Sequence, residues 1–248
     1  MKRKTSGGSS KPESPIRLNK YIAHAGICSR RDADQLISKG EINVNGSVVT
    51  ELGTKVYRSD VVTYKGKTLR PEKLIYVLLN KPKDFITTMD DPQGRRTVME
   101  LVKKAGDQRI YPVGRLDRNT TGLLVLTNDG ELSERLAHPS NNIKKIYSVE
   151  VDKRVIKEHV AAIRQGVELE DGVAKIDQLA VLSNDYRQFG LEIHIGKNRV
   201  VRRIFEHFGY EVIKLDRVVY AGLDKQNLSR GKWRYLAEKE VRRLKGIR

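Results

Sequence analysis

One acidic residue in this sequence has the neighbours expected of a reactive loop. Asp117 lies between Arg115 and Arg118 in the segment GRLDRNTTG, which runs from Gly114 to Gly122. Adjacent cations favour the ionised form of a carboxylate, and an ionised carboxylate with no thiol or hydroxyl–histidine pair beside it suits attack on a sugar or a base. The flanking glycines suit a tight loop that brings backbone close to a ligand. A carboxylate between arginines is also the usual form of a structural ion pair, so these residues alone leave both interpretations open.

A tyrosine in a predicted strand is the second candidate. Residues 143–151 alternate between apolar and polar side chains, a pattern that is typical of a half-buried strand. Tyr147 shares one face of that strand with Val149 and Val151. A tyrosine in such a row is ordinarily a core residue, so the pattern alone does not assign Tyr147 to the chemistry.

Three arginines lie on a predicted helix. The segment 196–209, GKNRVVRRIFEHFG, has an apolar stripe at helical spacing and ends at a glycine. Arg202 lies beside that stripe, where it could reach inward to a carboxylate. Arg199 and Arg203 are expected to meet solvent or RNA, since solvated charge is the default for a surface arginine.

Longer strands and helices mix from Ile75 onward. Their order shows no strict strand–helix alternation, and no internal repeat is evident. This pattern predicts an α+β domain with a mixed, largely antiparallel sheet over residues 75–248. The predicted strands cover 75–79, 122–127, 143–151, 191–195 and 212–220, and the predicted helices cover 130–138, 155–164 and 199–208.

Three segments precede that domain. Residues 1–15 are rich in Lys, Ser, Gly and Pro and have no apolar periodicity, which predicts a disordered basic tail. Residues 16–70 predict a small domain of two short helices and a hairpin, and residues 71–74 predict a linker. Ser29 begins the second helix with a capping-box pattern, and the pair Asn45-Gly46 is typical of a tight hairpin turn.

The run RLNKYIAHAGICSRRDADQLISKGEINVNGSVV resembles the S-four-type RNA-binding domain. In that family the helix pair presents basic side chains to structured RNA. The resemblance therefore implies phosphate contacts from Arg17, Lys20, Arg30 and Arg31.

The segment VGRLDRNTTGLLVLTNDGELSERLAHPS resembles the RNA pseudouridine synthases, specifically the RsuA-type ribosomal branch that also includes RluB-like enzymes. That branch places an S-four-type domain before its catalytic domain, which is the order predicted here. The resemblance extends from about Arg17 to Leu244, nearly the whole chain.

This second resemblance implies roles for four residues at matching positions. Asp117 would form a covalent adduct with the target nucleotide, after which the glycosidic bond breaks and the uracil turns and rejoins the ribose through carbon five. Arg115 would help to extrude the base and fill the vacated stack, and Tyr147 would stack on the flipped uracil and help to remove the proton from carbon five. Arg202 would pair with the aspartate. Val200 departs from the family pattern, because members often carry Gln there.

The charge balance favours a polyanionic partner. Lys and Arg number 48 against 31 Asp and Glu, a formal net charge of +17. Such a surplus binds nucleic acid through phosphate neutralisation and counterion release. A protein that is simply basic, or one that binds an anionic membrane surface, remains an alternative.

No apolar run approaches the ~20 residues that cross a bilayer, and the start of the chain lacks the apolar core of a secretion signal, so a cytoplasmic protein with no membrane partner is expected.

The prediction is a cofactor-free isomerase that converts uridines of ribosomal RNA to pseudouridines. Cys28 is the single cysteine and the five histidines have no ligand spacing, so no metal is expected. The 196–209 segment resembles that of large-subunit ribosomal enzymes of the RluB type, which implies large-subunit RNA as the substrate, and nothing requires more than a monomer. One alternative is a non-catalytic RNA-binding or ribosome-assembly factor, which would not need Asp117, Tyr147 and Arg202 together. The other is a nuclease or nucleoside hydrolase, which ordinarily needs a metal cluster or a second carboxylate to activate water.

Overall fold

The protein divides into two compact units. The computed structural model describes residues 14–247, so most of the predicted 1–15 tail lies outside the described residues. The division between the units falls between Lys73 and Leu74, within the segment predicted as a linker.

The first unit is a small α+β fold around its own apolar core. Its second helix starts with the predicted capping box, because the Ser29 hydroxyl accepts from the Asp32 amide and the Asp32 carboxylate accepts from the Ser29 amide. The hairpin turns at Asn45-Gly46, where both residues have positive φ, at 52° and 86°. The elements are β1 (Ile16–Arg17), α1 (Leu18–His24), α2 (Arg30–Ser38), β2 (Ile42–Val44), β3 (Ser47–Val49), β4 (Lys55–Val56), β5 (Val62–Tyr64) and β6 (Lys67–Thr68).

The strands of the first unit form two small sheets. Strands β3, β2, β5 and β6 form one antiparallel sheet in that order, and β1 pairs with β4. The short strands β1, β4 and β6 were not predicted, because two residues are too few to show a period.

The second unit holds a large mixed sheet with helices on both faces. Its elements are β7 (Tyr76–Lys81), α3 (Val98–Val102), β8 (Tyr111–Pro112), β9 (Thr121–Thr127), α4 (Gly130–Ala137), a single 3₁₀ turn (Pro139–Asn141), β10 (Lys145–Val151), α5 (Lys157–Gln165), β11 (Gln178–Val181), β12 (Gln188–Ile193), α6 (Val200–Glu206), β13 (Val212–Tyr220), β14 (Trp233–Tyr235) and α7 (Glu238–Lys245).

The sheet order is β11-β12-β10-β13-β9-β7-β14. Strand β8 lies outside this order and pairs with the end of β9, at Leu126 and Thr127. The pairing of β13 with β9 is parallel, and the other ladders between these strands are antiparallel. The prediction of an α+β fold with a mixed, largely antiparallel sheet is therefore confirmed.

Strand β9 is buried on both faces and separates two apolar clusters. Leu124 and Leu126 belong to the cluster that includes residues of α3, α5 and α6, whereas Leu123 and Val125 belong to the cluster that includes residues of α4 and α7. A strand covered on both faces is expected to be a continuous apolar run, which is why Leu123 to Leu126 shows no polar alternation. None of the helices between residues 14 and 247 has the length and apolar character to span a membrane.

Candidate active site

The loop that carries Asp117 connects β8 to β9 and is anchored on both sides of the carboxylate. Leu116 is buried immediately before it, and the Thr87 hydroxyl donates to the Leu116 carbonyl at 2.8 Å. After the aspartate, the Thr120 amide donates to the Asp117 carbonyl at 3.1 Å and closes a turn. The Asp117 side chain is 37% exposed. The carboxylate is therefore accessible from solvent while its backbone is held in place.

A buried lysine organises the same loop. Lys81 ends β7 and is fully buried, and its Nζ donates to the carbonyls of Pro82, Asp117, Arg118 and Thr120 at distances of 3.1, 3.0, 3.1 and 2.8 Å. Burial lowers the pKa of Lys81 to about 8, and the Asp117 carboxylate opposes part of that decrease. One ammonium thus ties together the backbone on both sides of the aspartate. Sequence reasoning missed this residue, because a lysine at a strand end is ordinarily solvated.

Two arginines lie near the Asp117 carboxylate but do not hydrogen-bond to it. Arg199 Nη1 lies 3.8 Å and Arg202 Nε lies 4.0 Å from Asp117 Oδ2. Charge-assisted N–H···O bonds are ~2.7–2.9 Å long, so both contacts are ion pairs and neither is a hydrogen bond. Arg202 is fixed by donation from Nη1 to the Val212 carbonyl at 2.6 Å, and its buried Nε has no hydrogen-bond partner among residues 14–247. Burial lowers the pKa of Arg202, but a guanidinium stays protonated in proteins.

Arg199 lies just before α6 and beside the candidate nucleophile. The sequence predicted a helix from Arg199, whereas α6 begins at Val200 and Arg199 has a left-handed φ of 46°. That conformation is uncommon for a residue other than glycine. The Arg199 side chain is 46% exposed, and its contact with solvent or RNA stays a prediction. The Arg199 guanidinium lies within ion-pair distance of Asp117 and, at 3.4 Å, of Glu206. It is thus the nearer of the two cations to the candidate nucleophile.

Asp117 and Tyr147 line one cavity of about 190 Å³, more than ten times the ~10–15 Å³ that one water needs. Tyr147 is only 9% exposed and also packs in the main apolar cluster of this unit, so it is a core residue and a cavity residue at once. The exposed Arg115 lines the same cavity. Val200, which is buried, adds an apolar surface there.

Lys145 and Arg217 also line the cavity, and sequence reasoning missed both. Lys145 donates from Nζ to the carbonyls of His194 and Ile195 at 2.7 and 3.4 Å. Its pKa is lowered to about 8, mainly by burial and further by Arg217. Arg217 lies on β13 opposite Tyr147 on β10. The signal that could have found Arg217 is its position, since residues directly opposite in paired strands share a face and a charged residue on the face of Tyr147 is uncommon in a core.

Arg203, which the sequence predicted to meet solvent or RNA, forms an ion pair with Asp171. Its Nη1 and Nη2 donate to the two carboxylate oxygens of Asp171, each at 3.0 Å. These hydrogen bonds lower the pKa of Asp171. The guanidinium is therefore paired with a carboxylate 32 residues away along the chain, and its contact with RNA stays a prediction. No local pattern predicts a contact at that separation.

The four basic residues predicted to bind RNA phosphates all lie in the first unit. Arg17, Arg30 and Arg31 are exposed and Lys20 is half-buried. Arg30 and Arg31 begin α2, immediately after the Ser29 cap. No carboxylate among residues 14–247 lies within ion-pair distance of Arg30 or Arg31. In the same described part of the chain, no group of three His, Cys, Asp or Glu side chains is arranged to hold a metal ion.

Known protein families match both units. A family model described as RNA pseudouridylate synthase matches residues 75–207, and one described as S4 domain matches residues 16–62. The first match covers more than half of the chain and includes Asp117, Tyr147 and Arg202.

Individual relatives and one solved structure extend over nearly the whole chain. The ribosomal large subunit pseudouridine synthase B of Bacillus subtilis is 45% identical over 235 residues, which cover 93% of this chain and 96% of the relative. The dual-specificity RNA pseudouridine synthase RluF of Escherichia coli is 36% identical over 233 residues, which cover 93% and 78%. A crystal structure of a pseudouridylate synthase, 28% identical, matches with a TM-score of 0.67 over 92% of this chain and 99% of that one.

Proposed function

The chain belongs to the RNA pseudouridylate synthase family, a family of isomerases, and from that premise we propose that it converts uridines of ribosomal RNA to pseudouridine with Asp117 as the nucleophile. The observation that carries the assignment is the setting of the carboxylate. Asp117 is partly exposed at a cavity that Tyr147 shares, with cations at 3.8 and 4.0 Å. Those cations lie beside the carboxylate but do not engage its lone pairs in short hydrogen bonds, so the oxygens remain free to attack.

The proposed reaction conserves every atom of the substrate. An Asp117 oxygen bonds to C1′ of the ribose as the bond from C1′ to N1 breaks, and the electron pair of that bond goes to the uracil ring. The ring turns within the cavity, and C5 attacks C1′ and displaces the carboxylate. The proton on C5 then leaves with the help of Tyr147, and N1 takes up a proton. The product is an isomer of the starting nucleotide.

The target base must leave its stack to reach this cavity, at a cost of roughly a few kcal/mol. Two side chains are placed to offset that cost. Stacking of the uracil on Tyr147 would contribute ~1–3 kcal/mol, and the exposed Arg115 at the same cavity would fill the gap that the base leaves.

Large-subunit ribosomal RNA is the substrate that we propose. The Bacillus relative is named for the large ribosomal subunit, and the S4 match supplies a domain type that binds structured RNA. The basic side chains of Arg17, Lys20, Arg30 and Arg31 would contact phosphates of that RNA, while the second unit carries out the chemistry.

Mapping of the product tests this proposal. The purified protein is incubated with protein-free large-subunit and small-subunit ribosomal RNA, and pseudouridines are located by chemical mapping. We expect new pseudouridine in the large-subunit RNA with the native protein and none with Asp117→Asn. Modification of the small-subunit RNA alone would refute the substrate, and no new pseudouridine in either RNA would refute the function.

A further inference from the structure

A buried arginine in the catalytic cavity has an unused hydrogen-bond donor. Arg217 is only 3% exposed and lines the same cavity as Asp117 and Tyr147. Its Nε donates to the Leu123 carbonyl at 2.7 Å, and its guanidinium carbon lies 4.3 Å from the centre of the Tyr220 ring. The Nη2 atom is buried and has no hydrogen-bond partner within residues 14–247.

This guanidinium also lacks a counter-ion. No carboxylate among the described residues lies within 4.0 Å of it, and burial raises the pKa of Tyr220, so that phenol stays neutral. Lys145 lines the same cavity and likewise donates to backbone carbonyls. An arginine cannot lose its charge in a protein, and an unpaired buried charge is costly. A buried guanidinium with a free donor at the wall of a cavity indicates that a ligand supplies the missing acceptor.

The position of Arg217 is fixed by the crossing of β13 and β9. The parallel register places Arg217 beside Gly122. A Cβ atom on Gly122 would lie 2.3 Å from the Arg217 carbonyl oxygen and 2.5 Å from its amide nitrogen, so only a glycine permits this approach. The preceding residue, Asp216, accepts hydrogen bonds from Thr121 at 2.9 Å and from both terminal nitrogens of Arg230 at 3.0 and 3.1 Å. The backbone that carries Arg217 is therefore held before substrate arrives.

We propose that Arg217 Nη2 donates to a carbonyl oxygen of the target uracil, with the Lys145 ammonium beside it, and stabilises the negative charge that the ring receives when the glycosidic bond breaks. This inference rests on the reaction proposed at Asp117. As the bond from C1′ to N1 breaks, its electron pair spreads over N1 and the two carbonyl oxygens of the ring. Arg217 keeps its protons throughout, and the charge leaves the oxygens when C5 bonds to C1′. A fixed donor aimed at charge that develops during the reaction lowers the barrier more than it strengthens ground-state binding.

Burial favours the base over a phosphate as the occupant. Arg217 lies opposite Tyr147 in the β10–β13 pair, and directly opposite residues have Cβ atoms roughly 4.5–5.5 Å apart. A ring stacked on Tyr147 would therefore present its edge to Arg217. A phosphate would have to lose its hydration to reach the Arg217 side chain, which is 3% exposed. Arg115 is exposed at the same cavity, so a hydrated phosphate would contact Arg115 instead.

A double-mutant cycle, in which one change is made in the Arg217 side chain and the other in the target base, tests this contact. Single-turnover rates are measured for the native protein and Arg217→Gln on RNA carrying uridine, 2-thiouridine or 4-thiouridine at the target. Sulfur is the weaker acceptor, so it should slow the native protein when it replaces the oxygen that Arg217 contacts. We expect Arg217→Gln to lose roughly 100-fold or more in rate on uridine, and to be slowed no further by that sulfur. Binding of the RNA should change less than twofold, since the contact strengthens during the reaction.

Arg187→Gln is the matched control. Arg187 also donates from Nε to a strand carbonyl, that of Val151 at 3.2 Å, and it does not line the cavity, so its rate on all three RNAs should follow the native protein. If Arg217→Gln loses the folded fluorescence of Trp233, the cycle is run with Arg217→Lys, which keeps a cation and should also show reduced sensitivity to sulfur.

A fourth RNA, with a methylphosphonate at the target nucleotide, is measured in the same way and probes a phosphate contact. Three results overturn the inference. The first is that the effects of the Arg217 substitution and of both sulfurs are additive, the second is that coupling appears only with the methylphosphonate, and the third is that Arg187→Gln shows equal coupling. In each case the native protein would still form pseudouridine and Asp117→Asn would not, so the proposed function would stand. If the native protein forms none, the proposed function itself is wrong.

Discussion

Replacing Lys81 by methionine tests whether one buried ammonium holds the catalytic loop. The substitution keeps the length of the side chain and removes its charge and its donors. Four carbonyl oxygens, those of Pro82, Asp117, Arg118 and Thr120, would lose their common partner. We expect a less stable second unit and a slower reaction, because the loop that carries the nucleophile would no longer be fixed.

The size of the effect follows from the contacts. A hydrogen bond to a charged group contributes ~1.5–3 kcal/mol, but four acceptors share the three protons of one ammonium, so their contributions do not add. The cost of burying the ammonium, several kcal/mol, offsets part of the gain. A net loss of ~2–4 kcal/mol in the free energy of unfolding is what remains. A displacement of ~1 Å at the nucleophile would slow the reaction by about 100-fold.

Urea unfolding followed by tryptophan fluorescence measures the stability directly. Trp233 is the single tryptophan of the chain and pairs with Leu79 on the strand that carries Lys81. With an m-value of ~1–3 kcal/mol/M, the midpoint should fall by about 1–2 M. Single-turnover rates on saturating RNA measure the second effect.

Lys214→Met is the control for Lys81→Met. Lys214 is an exposed lysine on β13 that pairs with Glu150 at 2.9 Å. An exposed ion pair contributes ~0–1 kcal/mol, so this variant should unfold close to the native midpoint. Should Lys81→Met match the control in both midpoint and rate, the positioning role of Lys81 would be wrong.

Two further predictions concern RNA contact and pH. Replacing Arg30 and Arg31 together by glutamine should weaken RNA binding and reduce the slope of log affinity against log salt by about 1.5–2; an unchanged slope would mean that neither guanidinium lies on a phosphate. The pKa of Lys145 is lowered to about 8, so its cation is present below that pH and is lost above it. The rate should therefore fall as the pH rises through about 8, and Lys145→Arg, which stays charged, should remove that decrease in a pH–rate profile. A decrease that persists in Lys145→Arg would place the titration elsewhere, with Lys81 next because burial lowers its pKa to about 8 as well.

Local patterns predicted the parts of this fold that local physics determines. The cap at Ser29 and the turn at Asn45-Gly46 form where they were predicted, because each depends on residues within three positions of one another. The amphipathic segments became helices, and the large sheet has the predicted mixed, largely antiparallel form. The roles of the predicted site residues stay predictions, although Asp117 and Tyr147 line one cavity and Arg202 lies within ion-pair distance of Asp117.

Contacts between distant segments could not be predicted in this way. Lys81 and Asp117 are 36 residues apart, and Arg217 meets the backbone of Gly122 across a parallel pairing that no local pattern reveals. The same limit explains Arg203, whose partner Asp171 lies 32 residues away. In each case the sequence predicts a solvated charged side chain, whereas in the structure that side chain binds a carbonyl or a carboxylate. The topology of the sheet decides which of these groups surround it.

A covalent bond between the Asp117 carboxylate and the target nucleotide can be detected by peptide mass spectrometry of the rapidly quenched reaction. We expect the peptide containing Asp117 to gain the mass of an attached nucleotide during the native reaction. We expect Asp117→Asn to gain none and to lose ~10⁴-fold or more in rate while it still binds the RNA. An adduct on another residue, or pseudouridine formed by Asp117→Asn at the native rate, would contradict a covalent role for Asp117.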